Sequence, residues 1–114
     1  MDNNKFNGLI DKISFQQYKK AVLWFLQRAA LDPTKCGIYG QVLLSVYNSQ
    51  RFPLNILKLC VLDKSNYQCA LVIIRGRAEL RIEPDTLIAD GSAIFEQLAT
   101  QWPENNVIPF KKPD

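Results

Sequence analysis

The chain has 114 residues, 47% of them hydrophobic and 22% charged, and a formal net charge of +3. That length holds one domain and no second independent core, and the composition excludes a chain too polar to fold. The charge is unevenly spread, with eight Lys/Arg against three Asp in residues 1–60 and six against eight acidic residues in 61–114, or +5 against −2. Even the basic half falls short of the dense stripe of a dedicated nucleic-acid binder.

Residues 1–13 are polar with scattered Phe6, Leu9 and Ile10 and are expected to form an N-terminal arm. Ser14 and Gln17 have the spacing of a capping box. Tyr18, Ala21, Val22, Phe25 and Ala29 then recur at helical spacing, which predicts a first helix with one apolar face. Asp32-Pro33 has the pattern of a cap followed by a proline at the first helical position. It predicts a second helix over 33–47, carried by Tyr39, Val42, Leu43, Val46 and Tyr47, with Gly37 and Gly40 in its first turns. Asn48-Ser49 is expected to end that helix through a left-handed residue, and Phe52-Pro53 to stiffen the elbow that follows.

From Asn55 a short helix is expected to put Ile56, Leu59 and Cys60 on one face and to close at Asp63. Ser65 to Gln68 repeats the capping-box spacing. It opens a segment, 66–78, that is apolar nearly all round, which predicts a helix in the middle of the fold. The β-branched run before Arg75-Gly76 and the alternation after it leave a hairpin there as the rival reading. Glu83-Pro84-Asp85 restarts a short turn carrying Leu87 and Ile88. Asp90-Gly91-Ser92 caps a last helix in which Ile94, Phe95, Leu98, Ala99 and Trp102 share a face until Pro103. The reading is an all-α, compact bundle of about four to five short helices over residues 14–102, with α+β as the alternative and 103–114 as a C-terminal tail. Val22, Phe25, Val42, Leu43, Val46, Leu59, Val72, Ile73, Phe95 and Leu98 are the expected core.

The available chemistry is narrow. No His is present, and Cys36, Cys60 and Cys69 are odd in number and widely spaced, so neither a metal set nor a disulfide framework is expected. The cysteines are read as small buried hydrophobes in a reducing compartment, and the acidic residues as helix caps. No catalytic residue, cofactor or metal is expected. No apolar run approaches the ~20 residues that span a bilayer, and residues 1–5 do not open a secretory signal, so the cytoplasm is expected.

Candidate binding residues fall in three places. Trp24 sits four residues from both Lys20 and Arg28, an aromatic ringed by cations of the kind that anchors protein interfaces. The favoured reading is a Trp that covers a flank of the core with its edge in water. In the elbow, Tyr47, Asn48 and Arg51 either brace the turn, with Arg51 on the last helical carbonyls, or present an anchor for a partner's carboxylate or phosphate. Arg75, Arg77 and Arg81 form a candidate phosphate contact or complement a helix C-terminus.

The pattern Leu43-Leu44, Tyr47-Asn48, Arg51-Phe52-Pro53, Leu59, Leu62-Asp63, Val72-Ile73-Ile74-Arg75, Asp90-Gly91, Phe95-Glu96 and Leu98 resembles a family of short bacterial proteins carried on plasmids and integrating conjugative elements. The family is uncharacterised, so the resemblance implies a setting and no activity. Where similar proteins often have a Glu-Val-His run, this chain has Pro84-Asp85-Thr86. The setting implies a small accessory protein of mobile DNA. A protein partner is expected, host defence machinery being one class, with a DNA-binding regulator as the alternative and homodimerisation left open.

Overall fold

The computed structural model describes residues 11–31 and 37–100. Within them the chain forms four α-helices: α1, Phe15–Ala30; α2, Ile38–Tyr47; α3, Lys64–Arg75; and α4, Gly91–Thr100. Two 3-10 turns, Ile56–Val61 and Pro84–Leu87, and a π-helical turn, Gly76–Leu80, link them. No strand occurs among the described residues, so the protein is an all-α bundle and the hairpin at Arg75-Gly76 is excluded. α3 instead runs into the wider π turn, which ends at Arg81 in a left-handed conformation (φ 58°).

The first capping box forms as the sequence predicts. Gln17 N donates to Ser14 Oγ at 3.0 Å, and Ser14 N donates to Gln17 Oε1 at 2.8 Å. The second does not form. Asp63, expected to close the preceding turn, opens α3 instead, its carboxylate accepting from the Asn66 amide at 3.2 Å. An ionised acceptor at a helix N-terminus also meets the favourable end of the helix dipole, an advantage the Ser65 hydroxyl lacks. α2 starts later than expected, with Gly37 as its N-cap rather than in its first turn. Asp32-Pro33 and Cys36 lie outside the described residues, as do residues 1–10, Trp102 and the 103–114 tail. At its other end α2 stops at Asn48 in an extended conformation (φ −157°, ψ 92°), so the expected left-handed stop is absent. Among the described residues, the non-glycine ones in the left-handed region are Arg81 and Asp90.

The centre of the fold is α2, not α3. Val42, Leu43, Leu44 and Ser45 are four consecutive buried residues, and α2 packs on α1, α3 and α4. Its ten residues carry no charge, so every face can enter an apolar environment without stranding an ion. α3 buries only Ala70 and Ile73, leaving Leu71, Val72 and Ile74 partly covered. Polar residues at Lys64, Asn66, Gln68 and Arg75 hold its other faces toward water. Eight of the ten expected core residues are buried; Val46 and Val72 pack at its margin. Ile13, placed by sequence in the N-terminal arm, is also buried. In the Ile56–Val61 turn only Leu59 goes inside, while Ile56 and Cys60 face solvent.

Two glycines mark close approaches. A Cβ at Gly76 would lie 2.3 Å from atoms of the Tyr18 ring, and one at Gly91 would lie 1.6 Å from the Asp85 carbonyl oxygen. Gly76 thus lets the π turn sit against α1, where Tyr18 donates its hydroxyl to the Ile82 carbonyl at 2.7 Å. Burial pushes the Tyr18 pKa up to about 12, so the phenol keeps the proton that this bond requires.

Candidate functional site

The elbow after α2 is built by Asn48. Its side-chain oxygen accepts from the Gln50 and Arg51 amides at 3.2 and 3.1 Å, and its carbonyl accepts from Arg51 and Phe52. This Asx-type turn aims the Arg51 side chain across the surface to α4. There it meets Glu96 in a two-pronged ion pair, Nη1 to Oε2 at 2.7 Å and Nη2 to Oε1 at 3.2 Å. Tyr47 donates its hydroxyl to the same Oε2 at 2.5 Å, its ring packs 5.0 Å from that of Phe95, and the guanidinium lies 4.7 Å from the Phe52 ring centre. The hydrogen bond to Glu96 pushes the Tyr47 pKa up to about 12. Arg51 first and Tyr47 second hold Glu96 below the usual carboxylate range.

Arg51 therefore reaches across to Glu96 of α4 rather than to the α2 carbonyls that the sequence suggested. Its partner, Glu96, is 45 residues away and was missed as a functional residue. The available signal was that Glu96 belongs to the same motif as Arg51 and is the only charged residue of α4.

The Trp24 cluster is a second constellation. Trp24 Nε1 donates to Asn66 Oδ1 at 2.8 Å, tying α1 to α3. Asn66 in turn donates to Asp63 Oδ1 at 2.8 Å. Arg28 lies 5.2 Å from the Trp24 ring centre and 5.8 Å from that of Tyr39, so its charge is held between two aromatic rings. Lys20 and Trp24 both lie on the wall of a groove.

That groove, with a volume of about 640 Å³, is lined by Lys20, Leu23, Trp24, Leu26 and Gln27 of α1 and by Ile88 and Ile94 across from them. Leu23, Trp24 and Ile94 are 43%, 44% and 39% exposed. Ile94 is a correction, since the sequence assigned it to the core face of the last helix. Phe95, expected on the same face, keeps its core position, and the rotation of about 100° between neighbouring residues turns Ile94 outward.

The three candidate phosphate contacts are not one free patch. Arg75 pairs with Glu79 through Nε at 2.5 Å and Nη2 at 3.0 Å and donates to the Asp11 carbonyl at 3.2 Å. Arg77 is half-buried with its charge felt at Tyr18, and Arg81 is exposed. Cys69, half-buried, directs its thiol to the Ala21 carbonyl at 3.7 Å, and burial raises its pKa to about 12, far from a reactive thiolate. The expectation of buried cysteines thus holds only loosely for Cys69 and fails for Cys60. Among the described residues no group of three Cys, Asp or Glu could hold a metal ion, and no helix is long and apolar enough to cross a membrane.

The described residues form an all-α bundle that carries an ion-paired clamp and an open apolar groove. The chain belongs to a family of unknown function, DUF7673, which matches residues 19–103 and so takes in both the clamp and the groove. No curated protein and no solved structure matches it.

Proposed function

We propose that this protein is a non-enzymatic, cytoplasmic binding module that engages another protein through the groove between α1 and the start of α4. The observation that carries the reading is the convergence of Leu23, Trp24 and Ile94, all large, apolar and more than a third exposed, on one concave surface. Contiguous apolar surface of this kind on a small domain marks interaction sites, and Trp is the residue type most enriched at binding hot spots. The resemblance to proteins of plasmids and conjugative elements supports an accessory role in mobile DNA, with host defence machinery among the candidate partners.

The competing reading is a DNA-binding regulator. It draws on the basic first half of the chain but loses Arg75, whose charge is met by Glu79. The discriminating experiment is capture from a bacterial lysate by the tagged protein and by Leu23→Asp, each with and without nuclease. The expected result is a protein that survives nuclease treatment and is lost with Leu23→Asp while the melting temperature of the variant is unchanged. Material lost on nuclease treatment alone supports DNA binding instead.

A further inference from the structure

We infer that the groove is shaped and charged for one kind of occupant, a short amphipathic helix of a partner protein that carries carboxylates along the edge of its apolar face. The inference rests on the protein-binding reading above and adds the chemistry of the partner.

Shape comes first. Lys20, Leu23, Trp24 and Gln27 stand at i, i+3, i+4 and i+7 on α1 and make one wall, about 10 Å long at 1.5 Å per residue. Ile88 and Ile94 make the other. Two turns of exposed helix face opposite an aliphatic wall match the ridges of another helix, whose own anchors recur at the same spacing. The other common ways of holding a peptide fit less well. Strand addition needs a sheet edge, and no strand exists among the described residues. Polyproline segments dock on several aromatic rings, whereas Trp24 is the one aromatic residue in this lining.

Charge selects among helices. α1 contributes Lys19, Lys20 and Arg28 and no acidic residue. Lys20 is the only charged residue of the lining and makes no ion pair with the described residues. An apolar floor with a cation on its wall that no described residue pairs favours a helix with Glu or Asp beside its apolar stripe and disfavours one with Lys or Arg there. A second copy of this chain is a poorer match. Among the described residues its most exposed apolar segment, Ile56, Leu57 and Val61, encloses Lys58, which would bring like charge toward Lys20.

The test uses two synthetic, fluorescently labelled peptides of about 15 residues, long enough for marginal helicity. They share one leucine face, and one is flanked by Glu and the other by Lys. Binding to the full chain is read by anisotropy, with the Lys20→Glu and Leu23→Asp variants alongside. The expected result is at least about tenfold tighter binding of the acidic peptide, loss or reversal of that preference in Lys20→Glu, and loss of binding in Leu23→Asp. Circular dichroism of both variants should match the unaltered protein. Equal binding of the two peptides, binding of neither, or a preference that survives Lys20→Glu overturns the inference. So does concentration-dependent dimerisation abolished by Leu23→Asp, which would make a second copy the occupant. Should a nuclease-resistant protein still be captured from lysate through Leu23 while neither peptide binds, the groove binds protein and only the acidic helix is wrong.

Discussion

Gly76 shows how one missing side chain can set a helix contact. Any Cβ there would drive into the Tyr18 ring, and Tyr18 is fully buried with its hydroxyl committed to Ile82. Gly76→Ala must therefore displace the ring or the π turn, and overpacking of this kind costs about 1–3 kcal/mol. Urea titration should show the loss as a lower midpoint. A midpoint at or above that of the unaltered protein would mean that the π turn yields freely.

The Arg51–Glu96 pair gives a smaller effect with a definite pH signature. Both side chains are about half exposed, 45% and 48%, so solvent screening limits the pair to roughly 0.5–1 kcal/mol even with its two-pronged geometry. Arg51→Ala should cost about that much. Arg51 and Tyr47 lower the Glu96 pKa in the folded protein. A group with a depressed folded pKa contributes fully above its unfolded value, near about 4.3, and loses the contribution as pH falls through the folded value. Glu96→Gln should therefore be less stable at neutral pH and lose less of its melting temperature on acidification from about pH 5 to about pH 3. Parallel curves for the two proteins would remove Glu96 from the acid response.

At the scale of elements, the instructive case is the start of α3. Asp63→Ala removes the acceptor for the Asn66 amide and should cost about 1 kcal/mol, as N-cap losses generally do. Ser65→Ala, at an exposed position inside α3 that caps nothing, should be close to neutral. The reverse order would restore the capping box suggested by sequence. Spacing alone could not choose between the two caps, because Asp63 and Ser65 both precede the same apolar run and the choice depends on where the preceding turn releases the chain. By contrast, α1 was legible almost to the residue, since Ser14, Gln17 and the apolar stripe all specify the same helix. The clamp was half legible. Tyr47, Asn48 and Arg51 announced themselves through the turn chemistry, but Glu96 lies on another helix, and no local periodicity reports a contact 45 residues away. The groove was not legible, because it depends on Ile94 turning outward while Phe95 turns in. One residue of phase in a short helix is below what periodicity resolves.

Across the whole molecule, the order of burial identifies the helix on which the others assemble. Apolar content pointed to the segment after Asn66, yet apolar content does not distinguish a helix covered on all sides from one lying along the margin. Charge does, because an uncharged helix can be surrounded while a helix with Lys64 and Arg75 at its ends and Gln68 between them keeps a wet face. α2 is the uncharged one among the described helices, and two aromatic contacts end on it, Phe25 of α1 against Tyr39 and Phe95 of α4 against Tyr47. Truncating its centre should therefore weaken the packing of α1 and α4 together. Leu43→Ala or Leu44→Ala leaves a cavity with almost no exposed route to collapse, costing about 2–5 kcal/mol. A loss of that size would unfold much of a domain with ordinary stability. Leu71→Ala, on the partly covered face of α3, should cost distinctly less than either, since part of that side chain already meets water. Thermal melts of the three variants give the comparison directly. If Leu71→Ala proves the most damaging, α3 is the central helix after all, and α2 is a cover packed onto it.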